Sequence, residues 1–378
     1  SCPSSAPGVS HVGYISLCSS VWASITSNVE ILRWVKGFSI PFVRRPSVPN
    51  QAGYSATRSQ GLDAHISELL SIGAISKVPI SVDHFVSPIF LIPKPDGKSR
   101  FILNLKSLNK DVLAPHFKMD NHVALMRLLP KNAYSIVLDL RDAYYAVRIV
   151  EEDRRYLCFD YDDNRYHFNC LCFGLACAPW AFSKLLRPVV AALRQKNIMC
   201  INYLDDFCFF ARSKDECSEA ANQAISLLQS LGFNINYKKS ILRPSQNFRF
   251  LGFQFDSCNR TISLPVDKTH KLKTAITKFM GVRSPTVRQA AKLIGLLISS
   301  VPTVPYSLVY CRRLERDRFS ALLQCQNNYS GPFTLSDQAR NDLVWWLQAL
   351  DNPVNCFPSD SYDYEIFSDS SSTGWGGH

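Results

Sequence analysis

Asp205 and Asp206 stand side by side in Tyr203-Leu204-Asp205-Asp206, with Cys200-Ile201 before them and Phe207-Cys208-Phe209-Phe210 after them. Carboxylates set between apolar residues are costly to bury without a partner. The pair therefore asks for a hairpin turn, whose geometry Asp tolerates, or for a cation. A third carboxylate, Asp139, ends the apolar run Ile136-Val137-Leu138 and opens the stretch Leu140-Arg141-Asp142-Ala143-Tyr144-Tyr145. A strand end beside a hairpin turn can bring the three together. Three hard oxygen ligands suit two divalent cations about 3.5–4 Å apart, the arrangement that stabilises attacking and leaving oxygens in phosphoryl transfer.

The elements that must position these residues are legible from periodicity and turn signals. Residues 60–75 carry Leu62, Ile66, Leu69 and Leu70 at helical spacing, with Gly73 as a stop. Ser87 to Leu105 predicts a β-hairpin with arms Ile89–Ile92 and Phe101–Leu103 around Pro95-Asp96-Gly97. Ser135 to Val150 predicts a strand running into a helix start. Ala178–Gln195 predicts a helix, Met199–Ala211 two short strands around the aspartate pair, Glu216–Leu231 a helix closed by Gly232, and Phe248–Phe255 one strand. Interleaved elements of both kinds indicate an α+β domain. After residue 262 the pattern turns helical, over 266–280, 286–300 and 335–350, and a last apolar strand begins at Tyr364 and meets Asp369. Residues 1–59 are rich in Ser, Pro and aromatics. Ile40 to Pro49 predicts an extended strap, because each proline disfavours helix before it.

Composition narrows the partners. The 378 residues are 46% hydrophobic and 19% charged, a folding composition long enough for two or three domains. The net charge of +11 favours partners rich in phosphate. The start carries no secretory pattern, and no apolar stretch approaches a membrane span. The 13 cysteines, an odd number without disulfide rhythm, fit reduced thiols in an intracellular protein. His167, Cys170, Cys172 and Cys177 lie close together, but their spacing matches no familiar zinc site. The absence of Met at the start and the stop at Gly374-Trp375-Gly376-Gly377-His378 read as cuts through a longer polypeptide.

Taken in order, the motifs between about 85 and 255 resemble those of reverse transcriptases. Leu138-Asp139-Leu140-Arg141-Asp142-Ala143-Tyr144 matches the family's first palm motif, and Tyr203-Leu204-Asp205-Asp206 its catalytic hairpin. The resemblance implies a right-hand polymerase. Fingers and palm would occupy 60–255 after an N-terminal extension (1–59). A helical thumb (256–330), a connecting helix and linker (331–361), and a truncated start of a ribonuclease H domain (362–378) would follow. It implies Asp139, Asp205 and Asp206 as ligands of two Mg2+ ions, which Mn2+ can replace. Lys239, with Lys238 as rival, would protonate the pyrophosphate. Lys94 and Arg100 of the fingers hairpin would grip the triphosphate. Asp142, Ala143, Phe173, Gly174 and Tyr203 would contact the nucleotide, and Tyr144 would sit under its sugar and exclude a 2′-hydroxyl. Leu251 and Gly252 would form the primer grip. The implied partners are an RNA or DNA template with its primer and deoxynucleoside triphosphates, and the implied reaction is attack of the primer 3′-hydroxyl on the α-phosphate.

Ser368-Asp369-Ser370 through Gly374-Trp375-Gly376 resembles the first ribonuclease H strand, with Asp369 as one metal ligand. The remaining ligands of that family lie further downstream, so no ribonuclease H activity is expected of this chain. Trp22 to Asn28, Ile40-Pro41-Phe42 and the Gly-Trp-Gly after Asp369 look like DIRS-type retrotransposons, with gypsy-type elements as runner-up. Two other readings stay open on the residues alone. A silent nucleic-acid-binding remnant would bind primer–template without turnover. A two-metal nuclease would not need Tyr144 or the Lys94–Arg100 hairpin.

Overall fold

A computed structural model describes residues 12–48, 50, 55–56, 58–93, 97, 99–358, 368–370 and 375–377. The chain divides into two compact units. The first comprises Ser1–Asn121 and Ala133–Ser245, the second His122–Asn132 and Gln246–His378. Residues 246–255, placed with the palm in the sequence-based division, thus pack with the second unit.

The first unit opens with two short helices, α1 (Ser19–Ile25) and α2 (Val29–Lys36), where the sequence reading recognised no helix. Asn28 caps α2 by accepting from the Glu30 and Ile31 amides, and Ile31, Trp34 and Val35 form its buried face. Both helices dock on the rest of the unit. Trp34 meets Trp180 edge-on at 5.1 Å, and the buried Trp22 donates its indole N–H to the Leu231 carbonyl at 3.0 Å. Helices this short are marginal alone and exist because they pack, so local propensity did not announce them. Phe42 then bridges Val112 in the stretch expected to be a strap.

Next come β1 (Ser55–Ala56), α3 (Gln60–Ser71), β2 (Ile75–Val78) and the antiparallel hairpin of β3 (Ile89–Pro93) and β4 (Ser99–Leu103). After α4 (His122–Leu128), which belongs to the second unit, the chain enters β5 (Tyr134–Arg141). The helix expected to follow β5 is only a 3-10 turn over Ala143–Ala146. α5 (Glu151–Arg154), β6 (Cys158–Tyr161) and β7 (Asn164–Phe168) follow, and the outer sheet has the order β1-β6-β7-β2. Then come α6 (Ala178–Gln195), β8 (Cys200–Tyr203), β9 (Asp206–Ala211), α7 (Lys214–Ser230), β10 (Asn234–Ile235) and β11 (Ile241–Ser245). Ser213 and Glu216 form a reciprocal capping box at the start of α7.

The central sheet has the order β10-β5-β9-β8, with β11 also pairing β5. Its alternation settles which side chains go where. Ile136, Leu138 and Leu140 of β5 are buried, as are Phe207 and Phe209 of β9, which stack at 5.8 Å. Leu138, Leu140, Phe207 and Phe209 share one core with Phe182, Leu185, Leu186 and Val189 of α6. Val137 and Asp139 alternate to the other face.

In the second unit, β12 (Asn247–Phe250), β13 (Phe253–Asp256) and β14 (Thr261–Ser263) form a meander that β15 (Val354–Cys356) completes. The single strand expected over Phe248–Phe255 is thus a hairpin. Leu251 (φ 48°) and Gly252 (φ 79°) both take the left-handed region and reverse the chain. An apolar run shows pairing tendency but not where it folds back. The helices α8 (Val266–Met280), α9 (Val287–Ser300), α10 (Arg312–Gln324) and α11 (Asp337–Ala349) enclose Ile276, Leu297, Leu343 and Trp346. The expected strand over 364–367 lies outside the described residues, which resume with the short pair β16 (Ser368–Ser370) and β17 (Trp375–Gly377).

Truncation of the buried Trp22 removes a large side chain and leaves the Leu231 carbonyl without its donor. Trp22→Ala should cost about 3–5 kcal/mol in denaturant-induced unfolding. A loss below about 1 kcal/mol would show that the N-terminal helices lie outside the cooperative unit.

Candidate active site

Tyr203 pairs Asp206 across β8 and β9, which leaves Leu204 and Asp205 as a two-residue turn. Leu204 takes φ 52°, a left-handed conformation that costs a branched side chain about 1 kcal/mol or more. Two hydrogen bonds hold it. The Asn202 side-chain amide donates to the Leu204 carbonyl at 2.8 Å, and the Leu140 amide donates to the Asp205 carbonyl at 2.9 Å, tying the turn to β5.

Asp139 is opposite Asp206 in the β5–β9 ladder. Directly opposed residues share a face, so both carboxylates leave the face that carries Leu138 and Phe207. The backbone of Asp139 is clamped from its other side. Its amide donates to Ser240 Oγ at 3.0 Å, Ser240 Oγ donates to the Asn236 carbonyl at 2.8 Å, and the Asn236 amide donates to the Asp139 carbonyl at 2.8 Å. The same turn delivers Lys239, whose Nζ stands 4.0 Å from Asp139 Oδ2. Its side chain is 72% exposed, so this pair is a loose surface contact able to exchange partners.

The three carboxylates repel one another. Burial raises the pKa of Asp206 first, then the charges of Asp205 and Asp139 add to it, carrying it to about 6 against the opposing pull of Lys239. Asp205 is raised likewise, by burial first and then by Asp139, although its own backbone amide and Lys239 act the other way. Hard oxygens under mutual repulsion are the chemistry that divalent cations relieve. Among the described residues no three His, Cys, Asp or Glu side chains already converge as a cage. The carboxylate oxygens, set at one end of the β5–β9 pair, suit divalent cations in donor type.

Of the expected nucleotide residues, Tyr144 lies near this turn, within the influence of the Asp205 charge. Tyr144 is buried, 5.1 Å from Phe173 and 5.4 Å from Phe182 between ring centroids. Burial and then the Asp205 charge push its hydroxyl well above the usual phenol range, so it acts as a neutral hydroxyl. Phe173 is 53% exposed and presents an open aromatic face. Gly174 has φ 98°, and an added Cβ would meet the Leu103 carbonyl at 3.0 Å. Its backbone thus demands glycine without any nucleotide. Asp142, at φ 50°, caps the 3-10 turn that holds the buried Ala143, and Arg141 Nε lies 3.3 Å from its carboxylate. Arg100 is exposed on β4 opposite Ile92, whereas Lys94 lies outside the described residues.

Leu251 and Gly252 form the β12–β13 turn of the second unit. The Lys268 ammonium packs against Gly252 and lies 5.7 Å from the Phe253 ring centroid. Asp369 pairs Gly376 between β16 and β17. Cys170, Cys172 and Cys177 are buried and their thiols pushed up by that burial, which keeps them protonated. Buried thiols of this kind pack as small apolar residues.

Sequence reasoning missed Asn202, Asn236, Ser240 and Asn109. Asn109 donates to the Gly174 carbonyl at 2.8 Å and accepts from the Ala176 amide at 2.9 Å. Asn and Ser signal local backbone caps, but the bonds of Asn109 to the Gly174 loop and of Ser240 to the Asp139 amide span 65 and more residues and leave no local pattern.

The raised Asp206 pKa has a definite sign for stability. The group is protonated in both folded and unfolded chains below about pH 4, so its cost is then absent. The cost grows as pH rises from the ordinary 3.8 to about 6 and is complete above that. In EDTA, Asp206→Asn should stabilise the fold by about 1–3 kcal/mol near pH 8 and by almost nothing near pH 4. Denaturation at the two pH values checks this, and a pH-independent difference would refute it.

The profile of the family described as reverse transcriptase (RNA-dependent DNA polymerase) matches residues 92–255. The Gag-Pol polyprotein of Rous sarcoma virus subgroup C (strain Prague) is 27% identical over 180 residues, 45% of this chain and 11% of that protein. The Pol polyprotein of equine infectious anemia virus (isolate CL22) is 27% identical over 266 residues, 66% of this chain and 21% of its own length. The enzymatic polyprotein of figwort mosaic virus (strain DxS) is 25% identical over 207 residues, 54% of this chain and 30% of that protein. The chain thus spans a minor part of these curated relatives. Among solved structures, the foamy viral protease-reverse transcriptase dRH in complex with ds DNA has the same fold. The TM-score is 0.67 at 16% identity over 96% of this chain and 68% of that one. The RNA/DNA-hybrid complex of the foamy viral enzyme gives 0.66 at 18% identity, over 89% of this chain and 46% of that one. The fold is therefore that of a right-hand polymerase, and residues 92–255 carry the match to the reverse transcriptase family.

Proposed function

We propose that this chain is the RNA-directed DNA polymerase of a retrotransposon, adding deoxynucleotides to a primer 3′ end on an RNA or DNA template. The carrying observation is the β5–β9 register, which places Asp139 and Asp206 opposite each other with Asp205 in the adjoining turn. It lies inside the stretch that matches the reverse transcriptase family.

Two Mg2+ or Mn2+ ions held by Asp139, Asp205 and Asp206 would supply the charge that offsets the triphosphate and the developing alkoxide. The protein's own groups do the rest. Lys239, poised 4.0 Å from Asp139 and largely exposed, protonates the leaving pyrophosphate. Arg100 and Lys94 bind the triphosphate from the fingers hairpin. Tyr144, fixed between Phe173 and Phe182, fills the space a 2′-hydroxyl would need. Asp142, Ala143, Gly174 and Tyr203 shape the nucleotide site around it. The Leu251–Gly252 turn grips the primer, and the basic helices after residue 262 form a thumb that follows backbone phosphates. We assign Asp369 as one ligand of a ribonuclease H-like strand, and the element to the DIRS type with gypsy-type as the rival.

Primer extension on an RNA template with magnesium tests the reading. The wild-type chain should extend, and Asp205→Asn should lose on the order of 10³-fold or more of the rate while keeping its fold. Lys239→Ala should lose roughly 10²–10⁴-fold, with its pH–rate profile losing the basic limb. Extension by Asp205→Asn at the wild-type rate would refute the assignment. A folded wild-type chain that binds primer–template but never extends it would mark a silent remnant. Magnesium should raise the melting temperature of the wild type and not of an Asp205→Asn, Asp206→Asn double variant, a metal readout independent of turnover.

A further inference from the structure

The strap that follows Phe42 carries a motif that the polymerase chemistry leaves unused. Arg44-Arg45-Pro46-Ser47-Val48 sets guanidinium groups three and two residues before a serine hydroxyl, with an apolar residue directly after it. Protein kinases select substrates by such charge patterns. An arginine-directed kinase offers carboxylates to the two guanidinium forks and an apolar patch to the side chain after the serine.

A kinase takes up an open segment, so the hydroxyl and the backbone around it must be free to enter its groove. The fold leaves them free here. Arg44 to Val48 joins no helix or strand. The backbone groups of Arg44, Arg45 and Ser47 and the Ser47 hydroxyl take no hydrogen-bond partner among the described residues. All three side chains are exposed, and that of Arg44, at 85%, meets Asp111 only loosely at 3.6 Å. Arg45 lies near Asp153, a buried carboxylate that already accepts the Ile40 amide at 2.8 Å. Pro46 fixes its own φ and keeps Arg45 out of the helical region. The segment is held out between two fixed points. On one side the Val43 amide donates to the Asp111 carbonyl at 2.8 Å. On the other, Asn50 exchanges two bonds of 2.6 Å with the Val86 backbone. Val48 is half-buried against the core and has to lift for the kinase to hold it. Ser240 makes the contrast. It too follows two cations, Lys238 and Lys239, but its hydroxyl is committed to the Asn236 carbonyl and the Asp139 amide.

We propose that Ser47 is a phosphorylation site for an arginine-directed serine kinase. Ser47 Oγ attacks the γ-phosphorus of ATP, its proton passes to the kinase's catalytic carboxylate, the bond from that phosphorus to the β,γ-bridging oxygen breaks, and ADP leaves. The phosphoserine adds a charge of about −1.5 to −2 beside two guanidinium groups and so nearly cancels the local charge of the strap. Arg44 can leave Asp111 to pair with it. Recognition of this segment does not rest on the polymerase reading.

The test incubates the folded full chain with ATP and the catalytic subunit of the cyclic-AMP-dependent protein kinase, an arginine-directed enzyme, and locates the phosphate by peptide mass spectrometry. Ser47→Ala and an Arg44→Ala, Arg45→Ala double variant run beside the wild type, each checked for native circular dichroism. A synthetic peptide of residues 42–50 and heat-unfolded wild type serve as open references. The folded wild type should be modified at Ser47 at a rate comparable to the peptide's, and Ser47→Ala should lose that modification. The double variant should lose at least about tenfold in kcat/KM, mainly through KM, as two charge-assisted contacts go. Phosphate at Ser47 only in the peptide or the unfolded chain overturns the proposal, because the fold then closes the site. So does modification of Ser47 at an unchanged rate without the two arginines, or modification confined to other residues.

Discussion

The pairing of β5 with β9 is the constraint on which the candidate site depends. Side chains alternate with period two along a strand, and directly opposed residues in an antiparallel pair share a face. With Leu138 opposite Phe207 in the core, Asp139 is opposite Asp206 on the other face. A slip of one residue would bury the carboxylates and expose the aromatics. The hydrophobic core therefore enforces the register, and the register brings the carboxylates together. Apolar packing at Ile136, Leu138, Phe207 and Phe209 acts on the chemistry without touching it.

That juxtaposition is unfavourable in the chain by itself. Burial first, and then neighbouring carboxylates, raise the pKa of Asp205 and Asp206, and Leu204 adds a left-handed backbone conformation in the same turn. Strain and repulsion persist at a site only where the surroundings over-determine it. Here the Asn202 amide, the Leu140 amide and the Asn236–Ser240 turn hold the backbone on both sides. The scaffold keeps the charges near each other.

The N-terminal segment is part of this scaffold. Gly13 donates its amide to the Tyr145 carbonyl. A chain of ring contacts runs from Trp22 to Phe233, from Phe233 to Phe182, and from Phe182 to Tyr144. Gly232 leaves room for the backbone of Tyr14 and Ile15, where an added Cβ would stand 2.9 Å from backbone atoms. The aromatic under the proposed sugar position is thus packed through a layer to which Gly13, Tyr14, Ile15 and Trp22 contribute. This is a packing role.

The sequence by itself determined the chemical types and the local elements. Asp139 at an apolar strand end, a turn at the aspartates between two apolar strands (expected at Asp205–Asp206, formed by Leu204–Asp205), the helix over Ala178–Gln195 and the β3–β4 hairpin follow from periodicity and turn chemistry, which act over a few residues. Only the tertiary structure decided the rest. Whether Phe248–Phe255 continues or folds back at Leu251–Gly252 depends on its pairing with β14, and whether residues 19–36 form helices depends on the surface they bury against α6 and Leu231. The clamp of Ser240 on Asp139 and the hold of Asn109 on the Gly174 loop join positions far apart in the chain. Such contacts form because burying the core brings distant segments within hydrogen-bonding reach, and no window of sequence contains both partners.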